Sequence, residues 1–184
     1  MPNPTFHNLP QQKREQFIEI ALREFALYPY ELASISRIIK SMGIAKGSLY
    51  QYFKNKKALY DYLIQYAGER KLEVTGKYLK DTEADFFKWY RKMHTASVLF
   101  DLSHPDIGLL LNNVSRECYS EQLDNLSLAN KEEAIAFYKN VLKQHVNSGR
   151  LPQKPNYIAY SYILMQTGIG LLDLLQLQLG ISLR

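Results

Sequence analysis

Apolar residues recur along this chain at the spacing of α-helices. Between residues 10 and 27, one apolar stripe consists of Phe17, Ile18, Ala21, Leu22, Phe25 and Ala26. This spacing predicts an amphipathic helix, since residues three and four apart share one helix face. Pro29 predicts its end, because proline lacks a backbone donor and clashes with the preceding turn. No segment has the regular alternation typical of a half-buried strand, so the pattern predicts an all-α protein.

Two short helices are predicted next, at Ile35–Met42 and from near Lys46 to near Tyr52. Ser34 can cap the first through its hydroxyl. Gly43 follows it and suits the left-handed conformation in which many helices end. Asn55 can then cap a helix of about six turns over residues 56–79.

The rest of the chain also has helical spacing. Five further helices are predicted, with Asn130 as the cap of the fourth, at residues 83–102, 106–111, 114–128, 131–147 and 156–179. This gives about nine helices. Helix length and charge balance both change near Asn55, so we predict one domain at residues 1–55 and a second at 56–184, with a connecting helix from about residue 56.

The two short helices and the turn containing Gly43 form a helix-turn-helix pattern, whose second helix enters the DNA major groove. On a helical wheel, Leu49 and Phe53 share one face and are expected to be core. Tyr50 and Tyr52 flank that face, so their rings can be partly buried while their hydroxyls reach phosphate.

The opposite face of this second helix carries groups suited to a nucleic acid. Gly47 has no side chain and allows close approach of the backbone. Ser48 and Gln51 offer donors and acceptors to base edges. Lysines at both ends can contact phosphates, namely Lys46, Lys54, Lys56 and Lys57.

The charge distribution favours a polyanionic partner. Residues 1–57 hold nine Lys and Arg against four Asp and Glu, whereas residues 58–184 hold fourteen of each. The whole net charge of +5 therefore lies in the first third of the chain. A basic segment on a neutral body is typical of a nucleic-acid-binding protein, although a solvated basic face has the same pattern.

The segment SISRIIKSMGIAKGSLYQYFKNKKAL, residues 34–59, resembles the DNA-binding segment of the TetR family of bacterial transcriptional regulators. Eight positions within 17 residues match that family's motif, namely Gly43, Gly47, Leu49, Tyr50, Tyr52, Phe53, Lys56 and Leu59. The resemblance covers residues 10–60 by motif and the remainder only by helix number and length. It implies an N-terminal three-helix DNA-binding domain and a C-terminal helical domain that binds a ligand and dimerises.

The resemblance also implies roles for single residues. Tyr50, Tyr52 and Lys56 would contact the DNA backbone, and Ser34 would cap its helix and reach a phosphate. Lys46, Gly47, Ser48 and Gln51 would approach bases or phosphates. Ala45 stands at a DNA-facing position where the family usually has serine, so the expected cap of the recognition helix is missing at a cost of about 1 kcal/mol.

By the same resemblance, the protein would be a homodimer on a palindromic double-stranded DNA operator, paired through its last two helices. The last helix is apolar nearly all round and needs cover on two sides. Gly168 and Gly170 would permit close approach of a partner helix. The candidate interface residues are Tyr162, Met165, Ile169 and Leu172.

The family's middle helices often enclose a small-molecule pocket. Here a neutral, mostly aromatic lining would suit a small apolar or aromatic effector, whose binding would release the DNA. The candidates are Phe86, Trp89, Tyr90, Met93, Phe100, Tyr119 and Met165, each of which could equally be a core residue.

Other classes of protein have less support in the sequence. Four scattered histidines, with no His/Cys/Asp cluster at ligand spacing, predict neither an enzyme nor a metal site, and no cofactor is expected. The uncharged stretch at residues 155–172 contains three tyrosines, two glycines and two amides, which disfavours a membrane span or a membrane partner. The single cysteine and the lack of a leader pattern suit the cytoplasm. The alternative functions are a helical protein-interaction or scaffold domain with a basic N-terminal patch and, with less support, a membrane-surface protein using the last helix.

Overall fold

The computed structural model describes residues 2–79, 85–116, 124–151 and 156–179. Every helix or strand assigned in these ranges is an α-helix, which confirms the all-α prediction. The described part of the chain contains α1 (Pro4–His7), α2 (Gln11–Leu27), α3 (Ile35–Met42), α4 (Lys46–Tyr52), α5 (Lys56–Leu79), α6 (Phe86–Ser103), α7 (Pro105–Arg116), α8 (Asp124–Asn147) and α9 (Tyr157–Leu179).

The helix limits between residues 27 and 59 are those that the local signals predict. The Ser34 hydroxyl accepts a hydrogen bond from the amide of Arg37. Gly43 ends α3 with φ +65°, in the left-handed region that favours glycine. Asn55 Oδ1 accepts a hydrogen bond from the amide of Ala58, at 2.8 Å, and so caps α5. These predictions are confirmed.

Three helix predictions need correction. The helix expected at 106–111 continues without a break to Arg116 as α7, which therefore includes the first three residues of the helix expected at 114–128. Residues 117–123 of that second helix lie outside the described part of the chain, and residues 124–128 belong to α8. α8 already begins at Asp124, so Asn130 lies inside it and does not cap a new helix. α8 contains no glycine or proline, and those of α7, Pro105 and Gly108, both lie in its first turn. Nothing in the sequence therefore forces a break at the helix ends that were predicted. The short helix α1 was not predicted.

The chain divides into two compact units, and each unit contains two separate stretches of the sequence. The first contains Met1–Arg70 together with His104–Asn113, and the second contains Lys71–Ser103 together with Val114–Arg184. The predicted boundary near residue 55 separates the helix-turn-helix segment from α5, whereas the packing keeps the first part of α5 with that segment.

The first unit has an aromatic core. Phe6 and Phe53 lie 4.9 Å apart between ring centroids, and Phe17 stacks on Phe53 at 5.8 Å. Tyr60 from α5 contacts Phe25, also at 4.9 Å. These rings connect α1, α2 and α5 with the residue that follows α4, so they hold the helix-turn-helix in place.

The second unit has its own core where α6, α8 and α9 pack. Its buried residues are Phe86, Trp89, Met93, Tyr138, Val141, Leu142 and Met165. The indole N–H of Trp89 donates to the carbonyl of Tyr78, and the Tyr90 hydroxyl donates to the carbonyl of Leu164. Among the described residues, no helix is both long and apolar enough to cross a membrane.

Candidate nucleic-acid interface

The α4 helix separates its core residues from its exposed residues as the helical wheel predicts. Leu49 in α4 and Phe53, the residue just after the end of α4, are fully buried. Gly47 and Gln51 are exposed on the opposite face, and Ser48 is half-buried. A methyl group added at Gly47 would meet no atom within 4 Å, so the space beside this backbone is open. A helix backbone with open space beside it can approach the floor of a DNA groove.

Tyr50 and Tyr52 are not equivalent. Tyr50 is 52% exposed, so about half of this residue's surface is open to solvent. Tyr52 is half-buried, with its ring 6.0 Å from Phe17 and 6.1 Å from Phe6. Tyr50 can therefore move toward a partner, whereas Tyr52 has a position fixed by packing.

The predicted phosphate-contacting lysines have different surroundings. Lys54 is exposed just after α4. Lys56 Nζ donates to the carbonyl of Glu31 at 3.2 Å and lies 4.6 Å from the centroid of the Tyr30 ring. Lys57 forms an ion pair with Asp61, one turn along α5. The side chain of Lys46 lies outside the described part of the chain. Of the predicted lysines whose side chains are described, Lys54 is thus the exposed one, whereas Lys56 and Lys57 are half-buried.

Ser34 lies in a polar network between α2 and α3. Its amide donates to Oε1 of Glu24 at 2.6 Å, and the same carboxylate accepts from Nε of Arg37 at 2.9 Å. Glu24 is buried, and its hydrogen bonds raise the pKa of the Arg37 guanidinium. Arg37 also lies 4.1 Å from the centroid of the Tyr28 ring. This network fixes the orientation of α3 on α2, and sequence reasoning missed it because its members lie up to 13 residues apart.

The two ends of α4 are held differently. Ala45 is exposed and gives no side-chain cap, as its methyl group requires. At the other end, the amide of Asn3 donates to the carbonyl of Tyr52 at 2.8 Å, and Asn3 Nδ2 donates to the carbonyl of Gln51 at 3.0 Å. Sequence reasoning missed Asn3 as well. The signal that could have indicated α1 is Pro4, because proline suits the first position of a helix, but it carries no information on the partner of Asn3.

The predicted effector and interface residues all belong to the second unit or to its undescribed parts. Phe86, Trp89, Met93 and Met165 lie together in its buried cluster, and Tyr90 and Ile169 pack against it. Phe100 is buried, and Tyr119 lies outside the described residues.

Among the predicted interface residues, Tyr162 is exposed, and the side chain of Leu172 is outside the described part. Met165 therefore faces the interior of its own unit, whereas Tyr162 faces outward.

The described residues offer a binding surface and no cluster of metal ligands. Among them, no group of three or more His, Cys, Asp or Glu side chains could hold a metal ion. The arrangement on α4 instead places hydrogen-bonding groups beside an exposed lysine. That combination can read base edges and contact phosphates.

Comparison with known proteins gives independent information on the same segment. Residues 17–63 match the model of a family described as bacterial regulatory proteins, tetR family. The HTH-type transcriptional regulator SAUSA300_2515 of Staphylococcus aureus (strain USA300) is 33% identical over 86 residues. That alignment covers 47% of this chain and 44% of the relative, so the similarity spans less than half the length of either protein.

Two solved structures extend the similarity in fold to the second unit. A TetR family transcriptional regulator from Chloroflexus aurantiacus J-10-FL has a TM-score of 0.82 at 28% identity, covering 100% of this chain and 84% of that one. The transcriptional regulator FadR from Bacillus subtilis, solved in complex with stearoyl-CoA, has a TM-score of 0.73 at 15% identity, covering 91% and 89%. The second similarity concerns the fold alone.

Proposed function

We propose that the chain is a DNA-binding transcriptional regulator of the TetR family and that it acts in the cytoplasm, because residues 17–63 match that family's model and a TetR family regulator shares the fold of the whole chain. The α4 helix enters the major groove as the recognition helix of the helix-turn-helix. The observation that carries this proposal is the exposed surface of α4 and the residues that follow it. Gly47, Tyr50, Gln51 and Lys54 are all exposed there, while Leu49 and Phe53 are buried.

Each exposed group has a role in the proposed complex. Gly47 lets the helix approach the groove closely, and Gln51 hydrogen-bonds base edges. The Tyr50 hydroxyl and the Lys54 ammonium contact phosphates. Tyr52 contributes its hydroxyl at the edge of the core, and Ser34 fixes the start of α3 close to the backbone of the DNA. Lys46, Ser48 and Lys56 complete the predicted set.

We further propose that the regulator is a homodimer on a palindromic operator. The outer side of α9 supports this assembly. Ile163, Leu174 and Leu177 are exposed there, and Gly170 leaves open space beside its backbone. These four positions are separated by seven, four and three residues, which keeps them on one helix face. A second copy of α9 packed on this face would bury them, and the two-fold symmetry of the dimer would match that of the DNA.

The regulator is proposed to be a repressor that a small apolar or aromatic effector releases from DNA. The neutral, aromatic cluster around Phe86, Trp89 and Tyr90 supports an effector of that chemistry, bound within the second unit. Binding would favour a dimer in which the two recognition helices no longer fit sites one DNA turn apart. Native mass spectrometry of the purified protein checks this point, because a bound effector adds a defined mass that denaturation removes.

A binding experiment with two lysine variants tests the proposed DNA contact. A 30-base-pair duplex is first selected by the wild-type protein from a library with a random centre, and its affinity is measured across a range of salt concentrations. Lys54→Ala should weaken binding and lower the salt slope by about 2, because one phosphate contact is lost from each subunit of the proposed dimer. Lys13→Ala is the matched control, since Lys13 is exposed on α2 of the same unit.

The control makes the outcome interpretable. Both variants lose one positive charge from the same unit, so a general charge effect would weaken both equally. Equal affinities of Lys54→Ala and wild type would contradict the site. Selection of no duplex at all would contradict DNA binding and favour an acidic protein partner for the basic segment.

A further inference from the structure

The carbonyl end of α4 accepts two hydrogen bonds from outside the helix-turn-helix. The last four carbonyls of any α-helix lack partners within the helix. In α4, the amide of Phe53 donates a hydrogen bond to the carbonyl of Leu49, at 2.9 Å. The carbonyls of Gln51 and Tyr52 both accept hydrogen bonds from a single residue, Asn3, through its side chain and its backbone. One residue thus caps two adjacent carbonyls of the proposed recognition helix.

The segment that carries Asn3 is itself firmly held. We call residues 3–9 the Asn3 clamp. Phe6 in this segment is completely buried, with its ring 4.9 Å from Phe53 and 5.4 Å from Tyr62. Nη1 of Arg14 on α2 donates to the carbonyl of His7 at 3.1 Å. These contacts hold the clamp against the core, so the position of Asn3 beside α4 is fixed by the packing of its own segment.

The α4 helix needs such a partner more than a longer helix would. It has only seven residues, and Ala45 provides no side-chain cap at its start. Isolated helices of this length are unstable in water, so tertiary contacts must hold α4 in shape. Leu49 and Phe53 hold one face of it, and the Asn3 clamp holds its end.

We propose that Asn3 is a positioning residue for DNA recognition. It acts by fixing the last turn of α4, which carries Tyr50 and Gln51, and it does so without touching the DNA. The inference rests on the proposed function, because it concerns how well the recognition helix is ordered before it meets the groove. Pre-ordered binding groups lose less conformational entropy on binding, so an ordered last turn gives tighter binding.

Three variants test the inference with the duplex selected by the wild-type protein. Asn3→Ala removes the bond to the Gln51 carbonyl and should weaken binding about fivefold for each subunit of the proposed dimer, the size expected for one hydrogen bond per subunit. Asn3→Pro also removes the backbone donor, at a φ of −74° that proline adopts, and should weaken binding further. Asn8→Ala is the matched control, because Asn8 lies in the same clamp and is exposed.

A second measurement separates positioning from direct contact and from loss of the fold. In the protein without DNA, amide hydrogen exchange in the last turn of α4 should be faster in Asn3→Ala than in Asn8→Ala. Exchange in α2 and the thermal midpoint should be the same in both variants. A DNA contact by Asn3 would leave exchange in the free protein unchanged, whereas general unfolding would speed exchange in α2 as well.

The results that would overturn the inference are distinct from failure of the proposed function. Wild-type affinity in Asn3→Ala, or weaker binding with unchanged exchange in α4, refutes positioning by Asn3. If the wild-type protein selects no duplex, the proposed function fails. The exchange comparison still decides the inference then, since equal exchange in Asn3→Ala and Asn8→Ala contradicts a clamp on α4 and faster exchange in Asn3→Ala supports it.

Discussion

His94 is a half-buried side chain whose surroundings favour its neutral form. Its Nε2 lies 3.1 Å from the hydroxyl of Tyr138, and its ring centroid lies 4.2 Å from that of Tyr90. Burial, with a smaller effect from the positive charge of Lys71, lowers the pKa of His94 to about 4. Burial also raises the pKa of Tyr138, so both members of the pair remain uncharged near neutral pH.

The His94 pKa predicts how stability depends on pH. The unfolded chain takes up a proton on histidine near pH 6.5, whereas the folded protein does so near pH 4, so the unfolded state binds more protons between these values. The stabilisation is complete above about pH 6.5 and is lost as the pH falls toward 4. Between pH 7.5 and 5 we expect the free energy of unfolding to fall by about 2 kcal/mol from this residue.

The measurement compares urea unfolding of wild type and His94→Gln at the two pH values. Glutamine does not titrate, so the difference between the two proteins isolates His94. Asp101, whose pKa burial raises, has an effect of opposite sign that is common to both proteins. His145, whose pKa burial lowers, is likewise common to both. A pH dependence that the substitution leaves unchanged would contradict the expectation.

At the scale of whole helices, the two glycines near the middle of α9 face different surroundings. A Cβ atom at Gly168 would lie 2.4 Å from Cε1 of His94 on α6, whereas one at Gly170 would meet nothing within 4 Å. The sequence suggested that both glycines would admit a partner helix. In the structure, Gly168 packs against α6 within one subunit, and of the two glycines only Gly170 lies on the outer face.

This difference predicts the effect of alanine at Gly168. Gly168→Ala should lower the free energy of unfolding by about 1–3 kcal/mol, since the His94 ring is held by Tyr90 and Tyr138 and has little room to move. Gly68→Ala on α5 is the control, because its Cβ atom would meet nothing within 4 Å. There, alanine should raise stability by about 0.5–1 kcal/mol through helix propensity. Chemical denaturation measures both, and a neutral Gly168→Ala would refute the close packing of α6 and α9.

At the scale of the whole molecule, the proposed dimer makes a prediction about the outer face of α9. Ile163 is 56% exposed in the single chain, and a dimer formed through this face would bury it. We expect sedimentation equilibrium to give twice the chain mass of 21.4 kDa for the wild-type protein. Ile163→Glu should shift it to the single-chain mass, because a buried, unpaired carboxylate is costly in an interface.

A matched substitution away from this face guards against a general effect of added charge. Phe87 on α6 is 69% exposed, so Phe87→Glu places the same charge on another exposed apolar position. It should leave the mass at that of a dimer. A wild-type mass of 21.4 kDa, or an unchanged mass in Ile163→Glu, would contradict the proposed interface.

Between residues 27 and 59, the sequence by itself determined the helix limits and the buried face of α4. Ser34, Gly43 and Asn55 act on backbone groups only a few residues away, and Leu49 and Phe53 are fixed by helical spacing. Such signals are complete within one or two turns of chain, so no knowledge of the fold is needed to interpret them.

Only the tertiary structure decided which distant groups meet. Asn3 contacts Gln51, which is 48 residues further along the chain, and Gly168 lies against His94. Met165 points into its own unit although its helix is apolar nearly all round. A helix such as α9, with apolar residues on every side, has no periodic pattern that indicates which face is buried. In the same way, the sequence around Asn3 does not indicate which residue it contacts. The packing of the neighbouring helices determines the buried face of α9 and the partner of Asn3, because packing decides which side of a helix is covered and which donors reach which carbonyls.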